Sequence, residues 1–271
     1  MTSVDRDHIV AALDEVWDAL VSLAGELDYD DWERPTACPG WTVRDQFSHV
    51  LGTEAMLLGR ERPAVELPPD LPHVRNDIGR LNELWVQAYR TRSVAELVAD
   101  LGEIILARRV DLANMDQEAF DAESWTPAGQ DTYGRFMQIR VMDQWFHEQD
   151  VREAVGRRDH LDGLAPEVAL DEVTLALGYI VGKKADAPAG SSVSFRLTGS
   201  LTRRIDVEVT DRARVVEEVA NPTVTLSIPA ERFFRIAGGR LGDRDPVDTS
   251  IGIEGDRELG ERVLRQLPFT L

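Results

Sequence analysis

The stretch "VMDQWFHEQDVREAVGR", residues 141–157, carries an aspartate and a histidine four positions apart. It does so inside a segment that otherwise reads as core. Between Phe136 and Phe146 most positions are apolar or bulky (Met137, Ile139, Val141, Met142, Trp145), yet Arg140, Asp143 and His147 interrupt them. At about 100° per residue these three fall within roughly 60° of arc on a helix. Asp143 and His147 then stand on neighbouring turns of one face. A second unusual histidine, His49, lies in "WTVRDQFSHVLGTEAMLLGR". The apolar stripe there is Val43, Phe47, Val50, Leu51 and Leu58, and His49 points the other way, among Gln46, Gly52, Thr53 and Met56. Two imidazoles and one carboxylate from two helices can converge on a divalent cation and leave a fourth position open, the arrangement of a catalytic zinc centre. A buried Asp143–His147 ion pair with His49 merely nearby meets the same spacing. Spacing alone leaves both readings open.

The other candidates are weaker. His8 stands beside Asp5, Arg6 and Asp7, His73 follows a proline-rich stretch, and His160 sits in "GRRDHLDG", so all three are expected at the surface. Cys38 has no base near it in sequence and is expected to be an inert thiol. Asp150, three residues after His147, is placed to orient a ligand or to form a salt bridge. Arg140, on the ligand face, is placed to pair with Asp143 or to meet an anionic substrate.

Helices must position these groups. Apolar residues at Ile9, Leu13, Val16, Trp17, Leu20 and Ala24 are spaced by three and four and predict a helix over 5–28. "ERPTACPGW" breaks the pattern, and Thr42 caps a second helix running to about Gly59. After the proline-rich "RPAVELPPDLPH" come helical patterns near 74–92, 94–114 and 133–156, which together predict an up-and-down bundle. Past Gly156 a helix near 165–184 leads into "SVSFRLTG", "RIDVEVT" and "TVTLSI", whose period of two predicts antiparallel strands. Further helices are predicted near 230–237 and 256–266. The expected fold is therefore α followed by α+β, with domains at 1–160 and 161–271.

The bulk numbers narrow the function. The chain of 271 residues is 43% hydrophobic and carries a net charge of −19 spread along its length. That charge repels nucleic-acid phosphates and anionic lipid, so neither nucleic acid nor membrane is an expected partner. One cysteine forms no intrachain disulfide, the N-terminal stretch lacks the apolar core of a signal peptide, and no run of 18 apolar residues occurs. A soluble cytoplasmic protein, monomer or homodimer, is the expectation.

"TACPGWTVRDQFSHV" followed by "DQWFHEQDVREAVG" resembles the N-terminal domain of the mycothiol-dependent maleylpyruvate isomerase family, a branch of the DinB-like four-helix bundles. "NPTVTLSIPAERFFRIAGGRLGD" and "SIGIEGDRELGERVLRQL" are similar to the smaller sterol-carrier-like domain that follows it. The resemblance implies a metal, zinc foremost, held by His49, Asp143 and His147, with Asp143 standing where the family has glutamate. It also implies mycothiol as thiol cosubstrate beside Trp41 and Gln46, and catalytic roles for Arg140 and for Arg240 in "AGGRLG". The implied reaction is thiol-assisted cis–trans isomerisation or S-transfer onto a small electrophile. A metal-dependent hydrolase, and a non-catalytic carrier of an apolar ligand, are the readings from other classes.

Overall fold

The apolar stripe of the first helix, α1 (Arg6–Glu26), is buried along its length, from Ile9 through Trp17 to Ala24. Asp5 caps it by accepting from the His8 backbone N–H at 2.7 Å. The computed structural model describes residues 1–270. It divides into two compact units, Met1–His160 and Leu161–Leu271.

In the first unit α1 packs against α4 (Val94–Ala113) and α6 (Tyr133–Val155), and α2 (Val43–Leu57) packs against the same two, closing a four-helix square. The helix α3 (Asp77–Arg90) stands outside the square against α2. The approach of α3 to α2 is set by Gly52, where a Cβ would fall 2.4 Å from the Trp85 side chain. A short helix α5 (Gln117–Asp121) and a hairpin, β1 (Glu123–Thr126) with β2 (Gly129–Thr132), lead into α6. Buried residues occur all around α6, which agrees with a segment that has no solvated face.

Two histidines expected at the surface are half-buried against carboxylates. The connection that follows α6 returns His160 to the bundle, where Nδ1 lies 2.7 Å from Glu148 Oε2 and Nε2 lies 3.0 Å from Glu15 Oε1. Glu148 is fully buried, and a buried carboxylate needs a counter-charge, which the polar neighbours of His160 in sequence do not reveal. His73 likewise packs on the buried Glu83, at 3.1 Å. His8 is exposed as expected.

The second unit begins with α7 (Leu164–Tyr179), continued by a π-helical turn, Ile180–Lys184. Five strands follow: β3 (Ser192–Thr198), β4 (Arg203–Val209), β5 (Ala213–Val216), β6 (Val224–Pro229) and β7 (Gly252–Gly255), in the spatial order β5-β4-β3-β6-β7. The period of two is as predicted, since Val193, Phe195 and Leu197 face the core and align with Val207 and Ile205 on β4 and with Val224, Leu226 and Ile228 on β6. The sheet is mixed and not wholly antiparallel, because β6 enters beside β3 in parallel. Between β6 and β7 lies α8 (Ala230–Ala237), and α9 (Arg257–Gln266) follows; both pack against β6. Among the described residues no helix is long and apolar enough to cross a membrane.

Two outcomes test this packing. Gly52→Ala forces the α2–α3 contact apart and is expected to cost about 1–3 kcal/mol in urea unfolding, as overpacking does. Burial alone would lower the His160 pKa, but the hydrogen bonds and charges of Glu148 and Glu15 outweigh it and raise it. A raised folded-state pKa gives stability that is complete below the unfolded value of about 6.5 and is lost as pH climbs through the folded value. His160→Ala is therefore expected to destabilise by about 1–3 kcal/mol at pH 6 and by less at pH 9, read from unfolding at the two pH values.

Candidate metal and thiol site

The site is built on a turn and two helices. In the turn, Trp41 N–H donates to the Cys38 carbonyl at 3.1 Å, and Thr36 N–H donates to the Trp41 carbonyl at 3.0 Å. Gly40 adopts φ +81°, a left-handed conformation that glycine accommodates readily. Asp45 then closes the start of α2, accepting from Thr42 N–H at 2.9 Å while Arg90 grips both of its oxygens at 3.0 and 2.9 Å. With the N-terminus of α2 fixed in this way, His49 falls on the inward face two turns later.

His49 and His147 meet with ring centroids 4.6 Å apart. His49 Nε2 lies 3.1 Å from Asp143 Oδ2, and His147 Nε2 lies 3.4 Å from Asp143 Oδ1. Donors on neighbouring corners of a tetrahedral zinc site stand about 3.3 Å apart, given Zn–N and Zn–O bonds of about 2.0–2.1 Å. With one donor atom from each of the three within 4.8 Å of the others, the groups can converge on one cation. The two imidazoles are 4% and 8% exposed, whereas the Asp143 side chain is 30% exposed, so the open side of the trio is the carboxylate side. His49 Nδ1 is buried without a hydrogen-bond partner among the described residues. Burial pushes the His49 pKa down to about 4, so the ring is neutral at pH 7, the form that ligates a metal.

Asp143 and His147 are oppositely shifted. Burial opposes ionisation of Asp143, but Arg140, His49 and His147 together hold its carboxyl well below the usual range. Burial also opposes a charge on His147, and Asp143, Asp150 and Cys38 outweigh it. Asp150 Oδ2 lies 3.4 Å from His147 Nδ1, close enough for charge but long for a hydrogen bond. Cys38 Sγ donates to the same Asp150 oxygen at 3.2 Å, so the thiol expected to be inert is tied to the site, and Cys38, His147 and Asp150 form a second trio of possible ligands.

Of the remaining sequence-derived residues, Arg140 is buried, with Nη1 on Asp143 and Nε donating to Glu54 Oε1 at 3.0 Å. Trp41 covers both imidazoles, its ring 5.2 Å from His49 and 5.8 Å from His147. Gln46 Nε2 donates to Thr36 Oγ1 at 2.6 Å and so braces the turn. Arg240 belongs to the second unit, in the turn after α8, where its backbone carbonyl accepts from Arg235 Nη2 at 3.2 Å. Glu54, Arg108 and Glu83 were missed. The signal for Glu54 and Arg108 was a charge at a core position: Glu54 continues the Phe47, Val50, Leu51 stripe, and Arg108 continues Leu101 and Ile105.

The description "Mycothiol maleylpyruvate isomerase N-terminal domain" matches residues 13–152, and the family's C-terminal domain matches residues 167–262. The chain belongs to the mycothiol maleylpyruvate isomerase family. Its fold is similar to a crystal structure of the mycothiol-dependent maleylpyruvate isomerase, at 15% identity and a TM-score of 0.60. A histidine-to-alanine mutant of that enzyme is similar at 14% identity and a TM-score of 0.58. Each match covers 93% of this chain and 95% of the other, and at such identity the likeness concerns the fold. No curated protein sequence matches the chain. The trio and its tryptophan cover thus lie within the family's N-terminal domain.

The geometry predicts that purified protein binds one Zn²⁺ in calorimetric titration. His49→Ala and His147→Ala are each expected to weaken binding by more than about a hundredfold, beyond the effect of losing an outer partner.

Proposed function

We propose that the protein is a divalent-cation-dependent enzyme that activates a low-molecular-weight thiol, mycothiol by family, for thiol-assisted cis–trans isomerisation of a small electrophile or for S-transfer onto one. The observation that carries the reading is the meeting of His49, Asp143 and His147 at ligand spacing in a member of this family. Residues 1–160 form the cation-binding domain and 161–271 the accompanying domain of this proposal. The single free cysteine suits a cytoplasmic setting.

His49, Asp143 and His147 would hold the ion, zinc foremost given two imidazoles and a carboxylate. Such an ion, when bound, supplies the Lewis acidity that makes a thiol lose its proton near neutral pH. The chain's own residues do the rest. Neutral His49 offers its lone pair without first shedding a proton. Asp150 keeps a negative charge on the Nδ1 side of His147 and so orients Nε2 toward Asp143. Arg140, anchored by Glu54, holds the Asp143 carboxylate in place. Trp41 covers the imidazoles and keeps water from that side.

Addition of the thiol sulfur to an activated cis double bond converts it to a single bond about which the adduct turns. Elimination then returns the thiol and the trans product. An arginine suits a substrate carboxylate because its planar fork matches the two oxygens, and the resemblance of "AGGRLG" to the family's C-terminal segment offers Arg240 as the candidate for that role.

The test is turnover of maleylpyruvate followed by ultraviolet absorption. Isomerisation is expected only when Zn²⁺ and mycothiol are both present, and His49→Ala is expected to lower it by more than about a hundredfold. Hydrolysis of an ester without any thiol would replace this reading with a metal-dependent hydrolase.

A further inference from the structure

Glu83 holds the ring that covers the two imidazoles of the site. It is fully buried on α3 and takes donors from three segments. Trp41 Nε1–H donates to Oε2 at 2.9 Å, and His73 Nε2 lies 3.1 Å from the same oxygen. Gln87 Nε2–H donates to Oε1 at 2.8 Å, with Arg90 Nη1 3.6 Å away. The turn before α2, the proline-rich connection and α3 therefore meet on one carboxylate. Each partner is itself confined. The Gly52–Trp85 contact seats α3 on α2, and the His73 ring lies so close to the turn that a Cβ at Gly40 would be 2.7 Å from its Nδ1. An indole N–H in such surroundings needs a partner, and Glu83 supplies it in one direction only.

We propose that Glu83 is a positioning residue of the thiol site: by fixing the Trp41 indole against His49 and His147, it sets how a low-molecular-weight thiol reaches the cation held there. The inference rests on the reading given under Proposed function. A fully satisfied buried carboxylate is stiff, because moving it breaks several charge-assisted hydrogen bonds together. Its influence reaches the site through the ring and not through the ligand atoms. The two effects are separable: cation affinity belongs to His49, Asp143 and His147, and thiol affinity belongs also to Trp41.

The experiment uses the full chain. Zn²⁺ affinity is measured by calorimetry, and mycothiol affinity by the change in visible absorption of the Co²⁺-loaded protein. The proteins compared are the wild type, Trp41→Phe, Glu83→Leu, Glu83→Gln and the corresponding double variants. Zn²⁺ affinity is expected to stay within about twofold throughout, in contrast to the 10–100-fold loss that follows removal of a direct partner of a ligand. Mycothiol affinity is expected to fall about five- to tenfold in Trp41→Phe and in Glu83→Leu, with the double variant no worse than the weaker single, since residues acting as one unit are not additive. Glu83→Gln keeps one acceptor oxygen and is expected to lose less.

Wild-type mycothiol affinity in Glu83→Leu, or effects that add to those of Trp41→Phe, overturns the proposal while leaving the metal centre standing. Should circular dichroism show Glu83→Leu unfolded, the Glu83→Gln and Trp41→Phe cycle decides by the same criterion. A wild type that binds no Zn²⁺ overturns the reading of the centre and this inference with it.

Discussion

Glu54 lies in the core of the bundle with no exposed surface, and each of its oxygens takes a guanidinium. Arg108 Nε donates to Oε2 at 2.8 Å and Arg140 Nε to Oε1 at 3.0 Å, with Gln144 also on Oε1 at 3.0 Å. One carboxylate against two guanidiniums leaves an excess of positive charge in a low-dielectric interior. Two further carboxylates, Asp111 on Arg108 and Asp143 on Arg140, more than offset it, leaving the five groups with a formal charge of one negative. The result is a line of alternating charges, Asp111, Arg108, Glu54, Arg140, Asp143, running from α4 through α2 to α6. Breaking a buried pair by removing one partner typically costs about 3–5 kcal/mol, so this line constrains how the three helices register. Its last member is the carboxylate that the two imidazoles share.

That answers why charged groups interrupt an otherwise apolar α6. Arg140 is there because Glu54 and Asp143 both require it, and Asp143 is there because two histidines and an arginine converge on it. His147 stands between two acids, Asp143 at Nε2 and Asp150 at Nδ1. A ring held from both sides presents one defined nitrogen to the open position, the property a ligating histidine needs. The site is thus ordered by electrostatics as much as by packing.

Much of this was legible in the amino-acid sequence, and the exceptions share a cause. The spacing of Asp143 and His147 and the off-stripe placement of His49 were local features, and local periodicity reports them directly. The α-then-α+β order and the main helices followed from the same periodicity, and the alternation of Val193, Phe195 and Leu197 gave the strands. The parallel entry of β6 beside β3 was hidden, because alternation says which face is buried and not which way a neighbour runs. The partial burial of His73 and His160 was hidden as well. Each is explained by a carboxylate distant in sequence or on another element (Glu83 for His73; Glu148 and Glu15 for His160), and polar neighbours in the chain conceal such a partner. The partner of Cys38 was hidden for the same reason, its acid being 112 positions away.

The clasp at His160 bears on any dissection of the chain. Glu148 is buried and depends on Arg152 at 2.6 Å and on the His160 ring, while the His160 carbonyl accepts from Trp145 Nε1 at 2.9 Å. A fragment ending with the last turn of α6 would keep every candidate cation ligand and still strip an interior acid of half its counter-charge and a core tryptophan of its acceptor. A fragment that keeps these contacts around the trio therefore reaches five residues past Val155, to the boundary between the two units.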